Sequence, residues 1–214
     1  FSGNRFDATE KAIFHALEML SAGAHVLDIG GQSTRPNATE ITAREEWNRI
    51  KDVIAGILDE APGAVLSVDT FHSQVADKAL NAGAFMINDV FAGRKDPAII
   101  DVMRNADAPL AIMHMQGTPE NMQLSPKYVD VQREIYDWLK TRCIELKEQG
   151  ITQLVIDPGF GFGKTTEHNF ELLQSLESFQ NLGHPVLAGL SRKSMIYKSL
   201  GTSPENALNG TTAL

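Results

Sequence analysis

Short apolar runs, each ending at a polar residue, alternate along the whole chain with segments of helical periodicity, and this alternation limits the fold more than any other feature. The runs predict parallel strands near 24–29, 65–69, 85–88, 109–113, 153–157 and 185–190, with a helix in each interval. Two of them are introduced alike: Ala22-Gly23-Ala24 leads to Asp28, and Ala82-Gly83-Ala84 leads to Asn88. A doubly wound sheet would carry G-x-G-x-x-G after its first strand, and Gly30-Gly31-Gln32-Ser33 does not match. A TIM (β/α)8-type barrel is therefore expected. Closure needs eight strands, and about 250 residues are typical. Six strands in 214 residues predict one incomplete barrel domain over residues 1–214, truncated at both ends. The outer sides of 24–29 and 185–190 would then be unpaired edges.

Local signals place the helices. Asp7 with Glu10, and Thr42 with Glu45, read as helix starts. Ser73 reads as the cap of a short helix that Gly83 stops, and a further helix is expected near Pro97 to Arg104. Ser125-Pro126 reads as the start of a long helix carrying Val129, Ile135, Trp138, Leu139 and Leu146. Residues 169–179 read as one helix, and Ser203-Pro204 begins a last one still running at Leu214.

The stretch Leu154-Val-Ile-Asp-Pro-Gly-Phe-Gly-Phe-Gly-Lys164 joins a buried strand to a glycine-rich loop. It is not a phosphate loop. Counting back from Gly163-Lys164-Thr165, the first required glycine is Pro158, which has no N–H to offer a phosphate. A net charge of −8 argues against a nucleic-acid surface. No apolar run approaches the ~18 residues of a membrane span. Cys143 stands alone, which suits a reducing compartment.

In a barrel of this kind the strand ends converge on one face. They bring Asp28, Asp69, Asn88, His114, Asp157 and Ser191 with Lys193 to that rim, and Arg35 adds positive charge. Each residue alone reads equally well as a cap or turn residue. Together, two carboxylates and an amide suit a flat heterocycle with adjacent N–H and amino groups, and the cations suit a phosphate or carboxylate. Lys164 reads more readily as a solvated surface lysine. No nucleophilic Cys, no Ser–His–Asp arrangement and no zinc spacing is present.

Six stretches in order make the chain resemble the dihydropteroate synthase family of pterin-binding barrels: residues 28–36, 67–70, 87–90, 113–119, 157–164 and 191–194. The resemblance implies condensation of 6-hydroxymethyl-7,8-dihydropterin diphosphate with 4-aminobenzoate, releasing pyrophosphate, in folate biosynthesis. It implies that Asp69, Asn88 and Asp157 hold the pterin edge, with Met113 and Gly189 beside the ring and Lys193 against it. It assigns Thr34, Arg35 and Pro36 to a loop over the diphosphate and the aminobenzoate, and Phe162 and Ser194 to the aminobenzoate pocket. Lys193, Arg35 and Asp69 would carry the chemistry.

The same resemblance implies Mg2+ as cofactor, a homodimer, a cytoplasmic location (organellar if a transit peptide has been lost), no nucleic acid or membrane partner, and allows fusion to other folate-pathway domains. The family's metal-binding Asn is expected upstream of Phe1, so no metal ligand is expected in this chain, and its own turnover stays open. Gly3-Asn4 stands where the family has Asp-Gly-Gly. Two other readings remain: the pterin domain of a methyltetrahydrofolate:corrinoid methyltransferase, where Thr34-Arg35-Pro36 and Ser191-Arg192-Lys193-Ser194 are not expected, and a non-catalytic pterin-binding barrel.

Overall fold

A computed structural model describes residues 5–33, 39–119 and 121–214. The elements run α1 (Arg5–Ser21), β1 (Val26–Gly30), α2 (Ala43–Glu60), β2 (Val65–Asp69), α3 (Ser73–Asn81), β3 (Met86–Asp89), α4 (Ile99–Ala106), β4 (Leu110–Met113), α5 (Val131–Glu148), β5 (Leu154–Asp157), α6 (Thr166–Gln174), α7 (Ser194–Ser199) and α8 (Leu208–Thr212). The strands form one sheet in chain order, β1-β2-β3-β4-β5. The βα alternation of the sequence is thus present and the fold is parallel α/β. Two compact bodies can be distinguished: residues 5–33 with Thr39–Leu110 and Gln149–Gln153, and Ala111–Glu148 with Leu154–Leu214.

In the first body β1 pairs in parallel with β2, Val26 opposite Val65 through Gly30 opposite Asp69, and β2 pairs with β3, Asp69 opposite Asn88. The ladder continues as Ile87 N–H donates to Pro109 O at 3.1 Å and Leu110 N–H to Gln153 O at 2.9 Å. Leu66, Val68 and Ile87 are fully buried, as strands covered by helices require. Over them α2 lays Ile50, Val53, Ile54 and Ile57 at helical spacing. Its start is as expected: Thr42 Oγ1 accepts from Glu45 N–H. Ser73 is not a cap. It opens α3 after His72, and its N–H donates to Asp96 at 2.8 Å, so a carboxylate from another loop satisfies that helix start.

In the second body His114 N–H donates to Asp157 O at 3.0 Å beyond the ends of β4 and β5. The expected strand at 185–190 shrinks to one bridge, Ile156 opposite Val186. Pro185 accepts from Ile156 N–H but has no N–H of its own, and Leu187 N–H returns the bond to Ile156 O. The long helix starts at Val131, not at Ser125-Pro126, because Asp130 and Glu134 form its cap: Asp130 Oδ1 accepts from Arg133 N–H at 2.9 Å, and Glu134 Oε1 accepts from Asp130 N–H at 3.0 Å. Val129 therefore lies outside the helix and is fully exposed. The predicted helix 169–179 is two pieces, α6 and a 3-10 stretch Leu176–Leu182, and the last helix is a 3-10 turn at Pro204–Asn206 followed by α8, which ends at Thr212.

Candidate active site

Each body carries part of the rim expected from the strand ends. In the first, the register sets Gly30, Asp69 and Asn88 side by side at the ends of β1, β2 and β3. Paired residues of a parallel ladder face the same side, so Asp69 and Asn88 share a face. Gly30 leaves open the space beside the aspartate: a Cβ there would lie 3.5 Å from Asp69 Cβ. Asn88 Nδ2 donates to Asp28 Oδ2 at 3.0 Å, so Asp28, Asp69 and Asn88 do form one group. The neighbouring Asp89 does something else, accepting from Phe91 N–H at 2.8 Å and Gly93 N–H at 2.5 Å to close the turn after β3.

This group is rich in carboxyl side chains. Burial pushes Asp69 up to about 8, and the charges of Asp28, Glu46 and Asp89 push the same way. Glu46 escaped the sequence reading because it sits among the first-turn acids of α2, where a helix start alone accounts for it. It is fully buried, its Oε2 accepts from Thr70 Oγ1 at 3.1 Å, and its Oε1 has no partner among the described atoms. Burial raises Glu46 to about 7 against the opposing influence of Thr70 and Arg49.

The second body contributes Asp157, 8% exposed at the end of β5, whose Oδ1 accepts from Gly159 N–H at 2.7 Å. Burial raises its carboxyl to about 6, opposed by that N–H and by the charges of Lys193 and Lys164. Lys193 Nζ donates to Phe160 O at 2.7 Å and stands 4.5 Å from the centre of the Phe162 ring, a cation–π distance. Burial lowers its pKa and Asp157 resists. Gly189 lies beneath the lysine, where a Cβ would be 3.9 Å from Lys193 Cε. Met113 is buried at the end of β4, and a Cβ on Gly159 would meet its Cγ at 3.1 Å. Asp157, Phe162, Gly189 and Lys193 are thus neighbours, with Met113 against the loop. Ser194 is half-buried at the start of α7, and Ser191 is exposed. Gln123, which no motif marked, donates through Nε2 to Gly161 O at 2.5 Å.

Two expectations change. Lys164 is not a solvated surface residue; it is 3% exposed, because its ammonium finds acceptors inside the loop, Gly159 O at 2.7 Å and Phe162 O at 3.0 Å. His114 is not an open rim group either. It is 7% exposed, packs edge-on against Trp138 with ring centres 5.1 Å apart, and meets Lys164 Nζ through Nδ1 at 3.2 Å. Thr34, Arg35 and Pro36 lie outside the described residues. Among the described residues no group of three or more His, Cys, Asp or Glu is arranged to hold a metal ion.

The pterin binding enzyme family matches residues 1–214. Dihydropteroate synthase of Haemophilus influenzae is 40% identical over 211 residues, spanning 98% of this chain and 76% of that protein. The structure of Xanthomonas albilineans dihydropteroate synthase with 4-aminobenzoic acid superposes with a TM-score of 0.89 at 42% identity, covering 96% of this chain and 73% of that one. A second structure of the Xanthomonas albilineans enzyme, in complex with 7,8-dihydropteroate, gives a TM-score of 0.85 at 38% identity over 96% and 73%. A parallel α/β chain with carboxylates and an amide at its strand ends, matched over its whole length, belongs to the pterin binding enzymes. Within that family its relatives are dihydropteroate synthases, transferases of folate biosynthesis, and the (β/α)-barrel reading of the sequence holds.

Proposed function

We propose that this chain carries out the dihydropteroate synthase reaction, joining 6-hydroxymethyl-7,8-dihydropterin diphosphate to 4-aminobenzoate. The observation that supports it best is the acidic character around Asp69: the charges acting on that carboxyl are all negative, and an amide is its register partner. Such a group calls for a ligand edge rich in N–H donors, which the ring N–H and exocyclic amine of a pterin supply. Asp157 takes the same role in the second body, with Lys193 beside it.

In the transfer, the bond from the pterin methylene to the diphosphate oxygen breaks and pyrophosphate leaves with the electron pair. The electron-rich dihydropterin supports the cation at the methylene. The aromatic amine of 4-aminobenzoate then forms the new C–N bond and loses a proton. The protein acts by position and charge. Asp69, Asn88 and Asp157 hold the ring, with Met113 and Gly189 beside it. Lys193 lies against it and adds positive charge near the leaving group, as Arg35 does, while Thr34 offers the diphosphate a hydroxyl donor. Phe162, Ser194 and Pro36 border the amine's site. Mg2+ belongs to this reading as a neutraliser of the leaving group, though the described residues offer it no ligand cluster. A homodimer is part of the same proposal. A cytoplasmic location belongs to the same proposal; among the described residues no helix is long and apolar enough to cross a membrane.

The test is pyrophosphate release by the full-length protein with both substrates and Mg2+. Turnover is expected, and Arg35→Ala should lower kcat by about tenfold or more while leaving the affinity for a pterin without diphosphate within about twofold. Tight pterin binding with no pyrophosphate release would move the assignment to the corrinoid methyltransferase domain or to a non-catalytic pterin-binding barrel.

A further inference from the structure

The lysine that closes the glycine-rich loop has more partners than a structural cation needs for solubility alone. Lys164 Nζ donates to Gly159 O at 2.7 Å and Phe162 O at 3.0 Å, meets His114 Nδ1 at 3.2 Å, and has His114 O at 3.4 Å. The Gly159, Phe162 and His114 carbonyl oxygens can only accept; a neutral amine has two N–H bonds and could not serve all three, whereas an ammonium can. The acceptors come from two loops, His114 after β4 and Gly159 with Phe162 after β5. The loops touch closely there. A Cβ on Gly159 would fall 2.0 Å from His114 O, and one on Gly163 would fall 2.6 Å from Gln116 O. Tyr128 secures the far end by donating its hydroxyl to Gly163 O at 2.9 Å. The same loop holds Lys193 through the Phe160 carbonyl, which accepts from its ammonium, and the Phe162 ring beneath that ammonium.

We infer that Lys164 is a positioning residue: by drawing the Gly159 and Phe162 carbonyls onto its buried ammonium beside His114, it sets the Phe160 carbonyl and the Phe162 ring that hold Lys193 and border the aromatic amine. The inference rests on the synthase reading above. It has a pH signature. The groups facing Lys164 are Asp157 from β5, His114 from the loop after β4 and Lys193 at the head of α7. Trp138 of α5 and Tyr128 pack on His114, and His168 of α6 packs on Tyr128. Burial lowers Lys164 to about 7, with Asp157 opposing and Lys193 adding. The ammonium, and with it the third hydrogen bond, is therefore lost as pH rises through the neutral range.

The experiment is steady-state pyrophosphate release by the full-length protein, both substrates varied, in wild type, Lys164→Met and Lys164→Arg. In wild type the KM for 4-aminobenzoate should climb as pH rises past about 7. Lys164→Met should raise that KM by about tenfold, move the KM for the pterin diphosphate much less, and abolish the climb. Lys164→Arg, charged at every pH, should recover part of the loss and lack the climb. The inference is overturned if Lys164→Met keeps the wild-type KM for 4-aminobenzoate, or if both substrates lose equally in step with the folded fraction seen by circular dichroism. Should that variant not fold, a wild-type KM for 4-aminobenzoate that stays flat through neutral pH overturns it as well. A wild type that releases no pyrophosphate at any pH overturns the synthase reading and takes this inference with it, whereas an active wild type with an indifferent Lys164→Met overturns the inference alone.

Discussion

Asp69 and Asp157 both end a strand, and burial lifts both, yet to different heights. Asp157 is opposed by a backbone N–H and two lysines and reaches about 6, whereas Asp69 sees only acids and reaches about 8. The difference separates their tests. Asp157→Asn keeps the shape and removes a charge-assisted pair, so pterin binding should weaken by about 1–3 kcal/mol; titration calorimetry checks it, and unchanged affinity would count against the role. For Asp69 the folded-state pKa lies above the unfolded value of 3.8, so its favourable contribution is full below that value and is lost as pH rises through about 8. Asp69→Asn should therefore gain stability over wild type progressively with pH, by about 2–4 °C in melting temperature near pH 8, while losing pterin affinity. A melting advantage that does not grow with pH would contradict this. Both aspartates were legible in the sequence as strand-end residues, because each closes a short apolar run. Glu46 and Lys164 were not, since nothing in a helix's first turn or a glycine-rich loop tells that a charged side chain turns inward.

The element that most repays inspection is the loop after β5. Gly159 takes a φ of 75°, open to glycine but strained for other residues, and the His114 carbonyl occupies the place of its missing Cβ at 2.0 Å. Backbone, unlike a flexible side chain, cannot move aside at small cost. Gly159→Ala should therefore destabilise by about 3 kcal/mol or more, read as a shift in the urea midpoint. The alternating Gly-Phe pattern was visible, but its purpose was not: it lets one loop lie against another. At this scale the sequence succeeded where an element is declared locally, as at Thr42 and Glu45, and failed where a distant group intervenes. Asp96 caps α3 from another loop, the Asp130–Glu134 pair displaces Ser125-Pro126, and Pro185 reduces a six-residue apolar run to one bridge.

For the molecule as a whole, parallel topology followed from rhythm alone, whereas the division into two compact bodies had no signal in composition. Cys143 reports on one of them. It lies on the buried face of α5 beside Leu139 and Leu146, and burial pushes its thiol up to about 11, with Arg142 opposing. At pH 8 the reactive thiolate is scarce and shielded. An aromatic disulfide reagent should label it only as fast as the second body unfolds, and within seconds in concentrated urea; rapid labelling of the native protein would show that α5 opens on its own.

The single bridge at Val186 bears on how constantly the site is assembled. Lys193 is reached by a chain that, among the described residues, joins the sheet through the two backbone hydrogen bonds that Ile156 makes with Pro185 and Leu187. Together with the Phe160 carbonyl and the Phe162 ring that hold its ammonium, this thin attachment ties the residence of that cation beside Asp157 to a local opening equilibrium, separate from the free energy of unfolding. Substitutions deep in the core could lower the melting temperature and leave Lys193 in place for the same fraction of time. A change as slight as the identity of residue 185 could do the reverse.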